Sequence, residues 1–115
     1  MNKLKIFIGD KLLLSNVRTA KGVVYRLKGL MFDKNMDSMD GFLIPNCNWI
    51  HTFFMRFPID AVYLNSKYQV VDIDLNVAPW RMCLPKFKAR HVLELPRGLV
   101  NSSQLSIGEV LKCIA

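Results

Sequence analysis

Short apolar runs with a period of two dominate the chain, and one run near the N-terminus has helical spacing instead. The runs "LKIFI" and "KLLLSNV" flank Gly9-Asp10, which predicts two strands joined by a tight turn. After Thr19, a residue suited to capping, the spacing predicts an amphipathic helix over about residues 20–31. From Phe42 onward, short apolar runs separated by turn residues predict strands, with a short helical turn before a closing strand.

The stretch "NWIHTFFM" has apolar residues on both faces of the strand that its pattern predicts over residues 49–56. We expect a central strand covered on both sides and ended by Pro58, which cannot donate to a sheet ladder. A period of two would place His51 and Arg56 on opposite faces, which argues against their joint action at one site.

Several short strands with frequent turn signals are typical of a mainly β protein. We expect a β sandwich or barrel that carries one early helix. The chain has 115 residues, the length of one ordinary domain, and no internal repeat divides it. We therefore expect residues 1–115 to form a single β-rich domain.

A net charge of +7 adds basic chemistry to this picture without assigning a partner. Many lysines are scattered, and the one dense basic patch is the loop at residues 81–90, which contains Arg81, Lys86, Lys88 and Arg90 and no acid. Such a loop can bind an anionic ligand or keep a small protein soluble. No recognised nucleic-acid motif accompanies the charge, so nucleic-acid binding is the weakest function that we consider.

The cysteines Cys47, Cys83 and Cys113 are widely spaced, form no CxxC pair and are accompanied by only two histidines. We expect reduced thiols, no metal site and no cofactor. Cations near Cys83 would favour its thiolate, although a small buried thiol is the simpler alternative. Asp10 and Lys11 interrupt the N-terminal apolar run short of a signal peptide or a membrane span, so we expect a cytoplasmic protein without a membrane partner.

A series of motifs over residues 26 to about 111 carries a family resemblance: "RLKGLMF", "GFLI", "IHTFFMRFPIDAVYLN" with "YQVVDI", "PWR", "ARHVLELPRG" and "LSIGEVL". Their sequence and order resemble the Domain of Unknown Function 192 family of small prokaryotic proteins. The resemblance implies a compact, jelly-roll-like antiparallel sandwich and assigns no biochemical activity. The residues that match the family pattern, none with an established catalytic role, are His51, Met55, Arg56, Pro58, Asp60, Arg90, Glu94, Pro96 and Gly98.

A small β scaffold with aromatic and basic loops is typical of a binding or accessory domain, here for a small anionic ligand or a peptide. The residues predicted to contact that ligand are His51, Trp80, Arg81 and Arg90. A second set is predicted to form a structural polar network: Arg56, Asp60 and Glu94. In that network we expect Arg56 and Glu94 within ion-pair distance, and Asp60 as an acceptor of backbone N–H groups.

Two alternatives stay open. The apolar stretch at residues 49–56 would suit a homodimer interface or another protein partner. An enzyme would draw its base, anion clamp and carboxylates from His51, Arg56, Asp60 and Glu94. No nucleophile elbow, phosphate-binding loop or dinucleotide fingerprint in the sequence supports catalysis.

Overall fold

A seven-stranded sheet organises the chain in the computed structural model, which describes residues 3–20, 22, 29–31 and 33–115. In chain order the elements are β1 (Lys3–Ile8), β2 (Lys11–Thr19), β3 (Gly41–Pro45), β4 (Ile59–Leu64), β5 (Val70–Val77), β6 (His91–Pro96), the short helix α1 (Leu99–Ser103) and β7 (Lys112–Ile114). The strands lie side by side in the order β5-β4-β6-β3-β2-β1-β7. The first and last strands of the chain, β1 and β7, are therefore neighbours.

This sheet confirms a mainly β chain with few helices, and it corrects part of the predicted architecture. The sheet is not closed, with β5 and β7 at its opposite ends, so the barrel alternative is wrong. The pair of β2 and β3 is parallel whereas the other pairs are antiparallel, so the sheet is mixed. The jelly-roll-like sandwich and the single domain stay predictions, and the predicted helix over residues 20–31 falls largely outside the described residues. Helix α1 confirms the predicted C-terminal helical turn.

Both predicted hairpins are confirmed. Strands β1 and β2 pair across Gly9-Asp10, where Gly9 has a φ of 59°. That left-handed conformation is open to glycine and costly for most other residues. Strands β4 and β5 pair across a turn in which the Asn65 side-chain oxygen accepts the N–H groups of Lys67 and Gln69.

Each face of the sheet packs against its own hydrophobic cluster. The Phe42 face carries Phe42, Tyr63 and Val92, and the segments around residues 30–39 and 50–57 cover it. The Leu43 face carries Leu43, Val62 and Leu93, and residues of α1 and of the segment after it cover that face. Strand β4 is buried along its whole length, because it lies between two neighbours and both of its faces are covered.

The expectation of a central strand over residues 49–56 is wrong. Residues 46–58 form an irregular segment in which His51 makes one isolated bridge, with Met82. Phe54 has a φ of 63°, and the N–H of Met55 closes a turn on the carbonyl of Thr52. The two-sided apolar pattern arises because this loop packs Ile50 and Met55 onto the Phe42 face and leaves other side chains at the surface.

Candidate functional site

Two irregular segments, residues 46–55 and 78–90, are joined by backbone hydrogen bonds, and we call them the loop pair. Bonds of 2.7–2.9 Å run in both directions, with the N–H groups of Cys47, Thr52, Trp80, Cys83 and Lys86 donating to carbonyls of the opposite segment. Buried backbone groups outside regular structure need such partners. The loop pair is therefore a fixed platform on the sheet.

Thr52 holds the two segments of the loop pair together through buried hydrogen bonds. Its side chain is fully buried, its hydroxyl donates to the carbonyl of Ala78 at 2.6 Å, and the same oxygen accepts the N–H of Arg81 at 2.8 Å. Between these two contacts the chain turns through Trp80, which has a φ of 64°. This role of Thr52 was not predictable from the sequence, because a threonine within an apolar run is typical of an ordinary strand.

Thr52→Val is expected to lower the free energy of unfolding by about 2 kcal/mol, because valine keeps the shape but removes both hydrogen bonds. Urea denaturation measures the difference. The matched control is Thr19→Val: the hydroxyl of Thr19 is buried and has no hydrogen-bond partner among the described residues. Valine at residue 19 should leave stability unchanged or raise it, and equal losses in the two variants would contradict the role of Thr52.

A continuous series of rings, which we call the aromatic row, lies along the loop pair. Its ring centroids are 6.2 Å apart for Trp49 and His51, 5.2 Å for His51 and Phe53, 6.2 Å for Phe53 and Trp80, and 4.7 Å for Trp80 and Phe54. Aromatic pairs at these separations attract each other and restrain one another's orientation. Three of the rings remain open to solvent, with exposed fractions of 37% for Trp49, 47% for Phe54 and 55% for Trp80.

An open cavity of about 360 Å³ lies at the Trp49 end of the aromatic row, and we call it the Arg90 cavity. Its lining residues are Asn46, Cys47, Asn48, Trp49, Ala89 and Arg90. A guanidinium, an indole and two side-chain amides can together hold a group that is anionic or planar.

The four predicted ligand-binding residues lie on the loop pair but do not converge on one point. Arg90 lines the Arg90 cavity, His51 and Trp80 belong to the aromatic row, and Arg81 is exposed beside Trp80. The Nδ1 atom of His51 accepts the N–H of Phe53 at 3.2 Å.

Arg56 and Glu94 do not form the predicted ion pair in the described part of the chain. Glu94 is buried on the Phe42 face of β6, whereas Arg56 is exposed in the irregular segment. Burial raises the pKa of the Glu94 carboxyl to about 8, and its Oε1 atom has no hydrogen-bond partner among residues 3–20, 22, 29–31 and 33–115. The prediction failed because strand alternation was applied to a segment that is not a strand.

Asp60 accepts backbone N–H groups, as the sequence leads us to expect. Its buried carboxylate accepts the N–H of Asn76 at 2.9 Å on Oδ1, and those of Gly98 at 3.0 Å and Val100 at 3.3 Å on Oδ2. Gly98 and Val100 lie at the beginning of α1, and Asn76 lies in β5. One side chain in β4 therefore fixes both β5 and α1, which is a structural role.

The ammonium group of Lys86 pairs with two aspartates, so its charge is not available to a ligand of the basic loop. Its Nζ atom lies 3.6 Å from Oδ1 of Asp74, 3.7 Å from Oδ2 of Asp72 and 5.4 Å from the ring centroid of Tyr63. The Tyr63 hydroxyl donates to Asp74 at 2.9 Å. Burial raises the pKa of the neighbouring Cys83 thiol, so the protein environment does not favour the thiolate that the nearby cations suggested.

The residues considered for catalysis are not assembled into one centre. Both carboxylate oxygens of Asp60 are occupied by backbone N–H groups, Glu94 is buried, and Arg56 is exposed elsewhere in the chain. In the described part of the protein, no cluster of three or more His, Cys, Asp and Glu side chains could hold a metal ion.

An open, mixed sheet that supports a hydrogen-bonded pair of aromatic and basic loops defines the class of this protein: a small, mainly β protein that presents polar and aromatic groups from loops. The chain belongs to the Domain of Unknown Function 192 family, DUF192, described as "Uncharacterized ACR", whose sequence profile matches residues 4–113. This membership confirms the resemblance carried by the motifs of the sequence.

Two relatives of the chain come from the genus Pyrococcus. The chain is 39% identical over 101 residues to the UPF0127 protein PH1112 of Pyrococcus horikoshii, which covers 84% of this chain and 85% of that protein. It is 36% identical over 101 residues to the UPF0127 protein PF1050 of Pyrococcus furiosus, which covers 84% of each chain. The family and these relatives assign no activity, so function has to be argued from the loop pair.

Two solved structures share the fold. A protein of unknown function from Novosphingobium aromaticivorans has a TM-score of 0.81 and 19% identity, over 96% of this chain and 83% of that one. A protein from Sinorhizobium meliloti, described as a putative transcription regulator, has a TM-score of 0.81 and 21% identity, over 96% and 92% of the two chains. At these identities the likeness shows the fold alone.

Proposed function

We propose that this protein is a binding module for a small anionic ligand, which occupies the Arg90 cavity. One observation carries the proposal: Arg90 and Trp49, both exposed, line the same open cavity together with Asn46 and Asn48. Binding sites commonly combine an apolar or aromatic wall with a few polar groups that fix the ligand's orientation.

Each lining group has a distinct task in this proposal. The guanidinium of Arg90 donates parallel hydrogen bonds to a carboxylate or phosphate, a geometry that lysine cannot reproduce. The indole of Trp49 packs against a planar or apolar part of the ligand. The amides of Asn46 and Asn48 can donate and accept, which suits a ligand with hydroxyl or carbonyl groups.

The walls of the Arg90 cavity are held in place before a ligand arrives. The N–H of Cys47 donates to the carbonyl of Arg90 at 2.9 Å, and the N–H of Asn46 donates to Nδ1 of His91 at 3.2 Å. Burial, with a contribution from Arg90, lowers the pKa of His91, and the resulting neutral ring can accept that N–H. A preformed site loses less conformational entropy on binding.

An anionic peptide is the second candidate ligand. The aromatic row continues from Trp49 to Trp80 outside the cavity, so a peptide with its carboxylate at Arg90 could lay further side chains along these rings. The homodimer alternative loses its main support, because residues 49–56 do not form the two-sided strand on which it was based.

A thermal-shift panel of small carboxylates, sugar phosphates, nucleotides and acidic peptides tests the proposal. We expect an anionic compound to raise the Tm, and Arg90→Ala or Trp49→Ala to weaken its binding about tenfold or more. Lys88→Ala is the matched control, because this exposed cation of the same loop lies outside the cavity lining. Trp80→Ala should preserve binding of a small ligand and weaken binding of a peptide. No stabilisation by any anionic compound, or an equal loss in Lys88→Ala, would refute the proposal.

A further inference from the structure

The loop at residues 81–90 ends in side chains for which the fold provides no cover. The exposed fraction is 60% for Met82, 74% for Leu84 and 90% for Phe87, and we call these three residues the apolar tip. Phe87 and Lys88 lie at the point of a turn that the N–H of Ala89 closes on the carbonyl of Lys86 at 2.8 Å. Single exposed apolar residues are ordinary, but three highly exposed ones within six residues of one loop indicate a contact surface.

Backbone hydrogen bonds hold the segment beneath the apolar tip in place, so the tip is not free to fold back onto the core. The N–H of Cys83 donates to the carbonyl of Ile50 at 2.9 Å, and that of Lys86 donates to the carbonyl of Asn48 at 2.8 Å. The ammonium of Lys86 is turned inward, between Asp72 and Asp74. The apolar tip therefore projects from an anchored base.

Two exposed cations flank the apolar tip along the chain. Arg81 and Lys88 are exposed, and neither forms an ion pair among the described residues. No Asp or Glu occurs anywhere between Asp74 and Glu94. The acids that contact this loop, Asp72 and Asp74, are paired with Lys86, so the exposed charges beside the apolar side chains are the cations Arg81 and Lys88. Such a surface is complementary to a partner that is negative outside and apolar beneath.

We propose that the apolar tip inserts into the surface of an anionic lipid bilayer, with Arg81 and Lys88 bound to lipid phosphates. Anionic headgroups attract exposed Lys and Arg, and the acyl region below them accepts aliphatic and aromatic side chains alike. Trp80, at the base of the tip, is a residue type favoured at the headgroup level. The occupant follows from exposure and charge together, because side chains that are 60–90% exposed lie on the same loop as the exposed cations Arg81 and Lys88.

Single-stranded nucleic acid fits the apolar tip less well. Such partners need flat side chains on which bases can stack. Two of the three tip residues, Met82 and Leu84, are not aromatic, and they would stay in water against a nucleic-acid strand. A bilayer would bury them.

This contact is peripheral. Across the described ranges, no helix is long and apolar enough to cross a membrane. The sequence-based expectation of no membrane partner depended on the lack of an apolar span, and it gave no information on the exposure of Phe87. The proposal uses other residues than those assigned to the anionic ligand and does not require the Arg90 cavity to be occupied.

Co-sedimentation with lipid vesicles tests the proposal on the full chain, without any small ligand. We expect binding to vesicles made of equal parts phosphatidylcholine and phosphatidylserine, and little binding to pure phosphatidylcholine. Phe87→Ser should weaken the partitioning about tenfold or more, since a large apolar group no longer inserts. Lys88→Ala should weaken it about fivefold, and high salt should reduce the binding of the unaltered protein.

Ile107→Ser is the matched control, because Ile107 is 62% exposed but lies after α1, away from the loop pair. This variant should bind vesicles like the unaltered protein, and urea denaturation should show that all variants are folded. Equal binding to both lipid compositions, unchanged binding of Phe87→Ser, or an equal loss in Ile107→Ser would overturn the proposal. A Phe87-dependent dimer, or Phe87-dependent retention by single-stranded DNA, without vesicle binding would overturn it in favour of that partner. Because the anion panel contains no lipid and the vesicle assay no small anion, each proposal can fail without the other.

Discussion

Glu94→Gln is expected to stabilise the protein by up to about 5 kcal/mol near pH 9 and to change its stability little near pH 5. Glutamine keeps the size of the side chain but cannot ionise. The ionised carboxylate of Glu94 would be buried on the Phe42 face, where its Oε1 atom has no hydrogen-bond partner among the described residues. Removing that buried charge should remove the cost of ionising it in the folded protein.

The sign of this effect follows from the two pKa values. Burial raises the pKa of Glu94 to about 8 in the folded protein, from 4.5 for an ordinary glutamate. Between these values the folded state binds more protons than the unfolded state, so stability falls as pH rises through this window and then levels off. At about 1.36 kcal/mol for each pH unit in the window, the complete loss is about 5 kcal/mol.

Urea denaturation of both proteins across this pH range measures the difference. The matched control is Glu109→Gln, because Glu109 is only partly buried and accepts hydrogen bonds from the N–H and the hydroxyl of Ser106. Its substitution should not produce a steep dependence on pH. If Glu94→Gln differed from the unaltered protein by the same amount at pH 5 and pH 9, the assignment of a buried, destabilising carboxylate would be wrong.

Asp60→Asn is expected to lower the free energy of unfolding by about 3 kcal/mol or more. Both carboxylate oxygens of Asp60 accept backbone N–H groups. An amide has one oxygen, so its NH₂ group would face at least one backbone donor, and the charge-assisted hydrogen bonds would be lost.

Urea denaturation gives the size of this effect, and hydrogen exchange gives its location. The amides of Gly98 and Val100, which donate to Asp60, should exchange faster in the variant. Asp10→Asn, in the exposed turn between β1 and β2, is the matched control and should change stability by less than about 0.5 kcal/mol. A comparable loss in both variants would show that Asp60 has no special structural role.

The parts of the fold that were predictable from sequence are those with a local signal. Gly9-Asp10 marks a hairpin by its turn chemistry, and "HVLELP" predicts a strand in which Leu93 and Leu95 share one face, as they do in β6. The mixed sheet order was not predictable, because the parallel pairing of β2 and β3 depends on contacts between distant residues. No local pattern encodes it.

The candidate site was predictable only in outline. Basic and aromatic residue types pointed to Trp80 and the loop at residues 81–90. Apolar alternation wrongly predicted a strand over residues 49–56, because a loop that packs onto a sheet also contains both buried and exposed apolar side chains. The positive φ angles of Phe54 and Trp80 were not predictable, because bulky residues rarely adopt this conformation and no sequence pattern marks it. The exposure of Phe87 and the burial of Glu94 are properties of three-dimensional packing, which periodicity does not report.

The pairing of β1 with β7 has a consequence for the order in which this protein can fold. Lys5 lies opposite Ile114, so this part of the sheet cannot form until residue 114 has been synthesised. Contacts between such distant residues slow folding, because the entropy of a very long loop has to be lost before the strand pairing can stabilise the fold. Until β7 arrives, β1 presents an unpaired strand edge that is open to other chains, so a nascent or truncated form should aggregate at that edge.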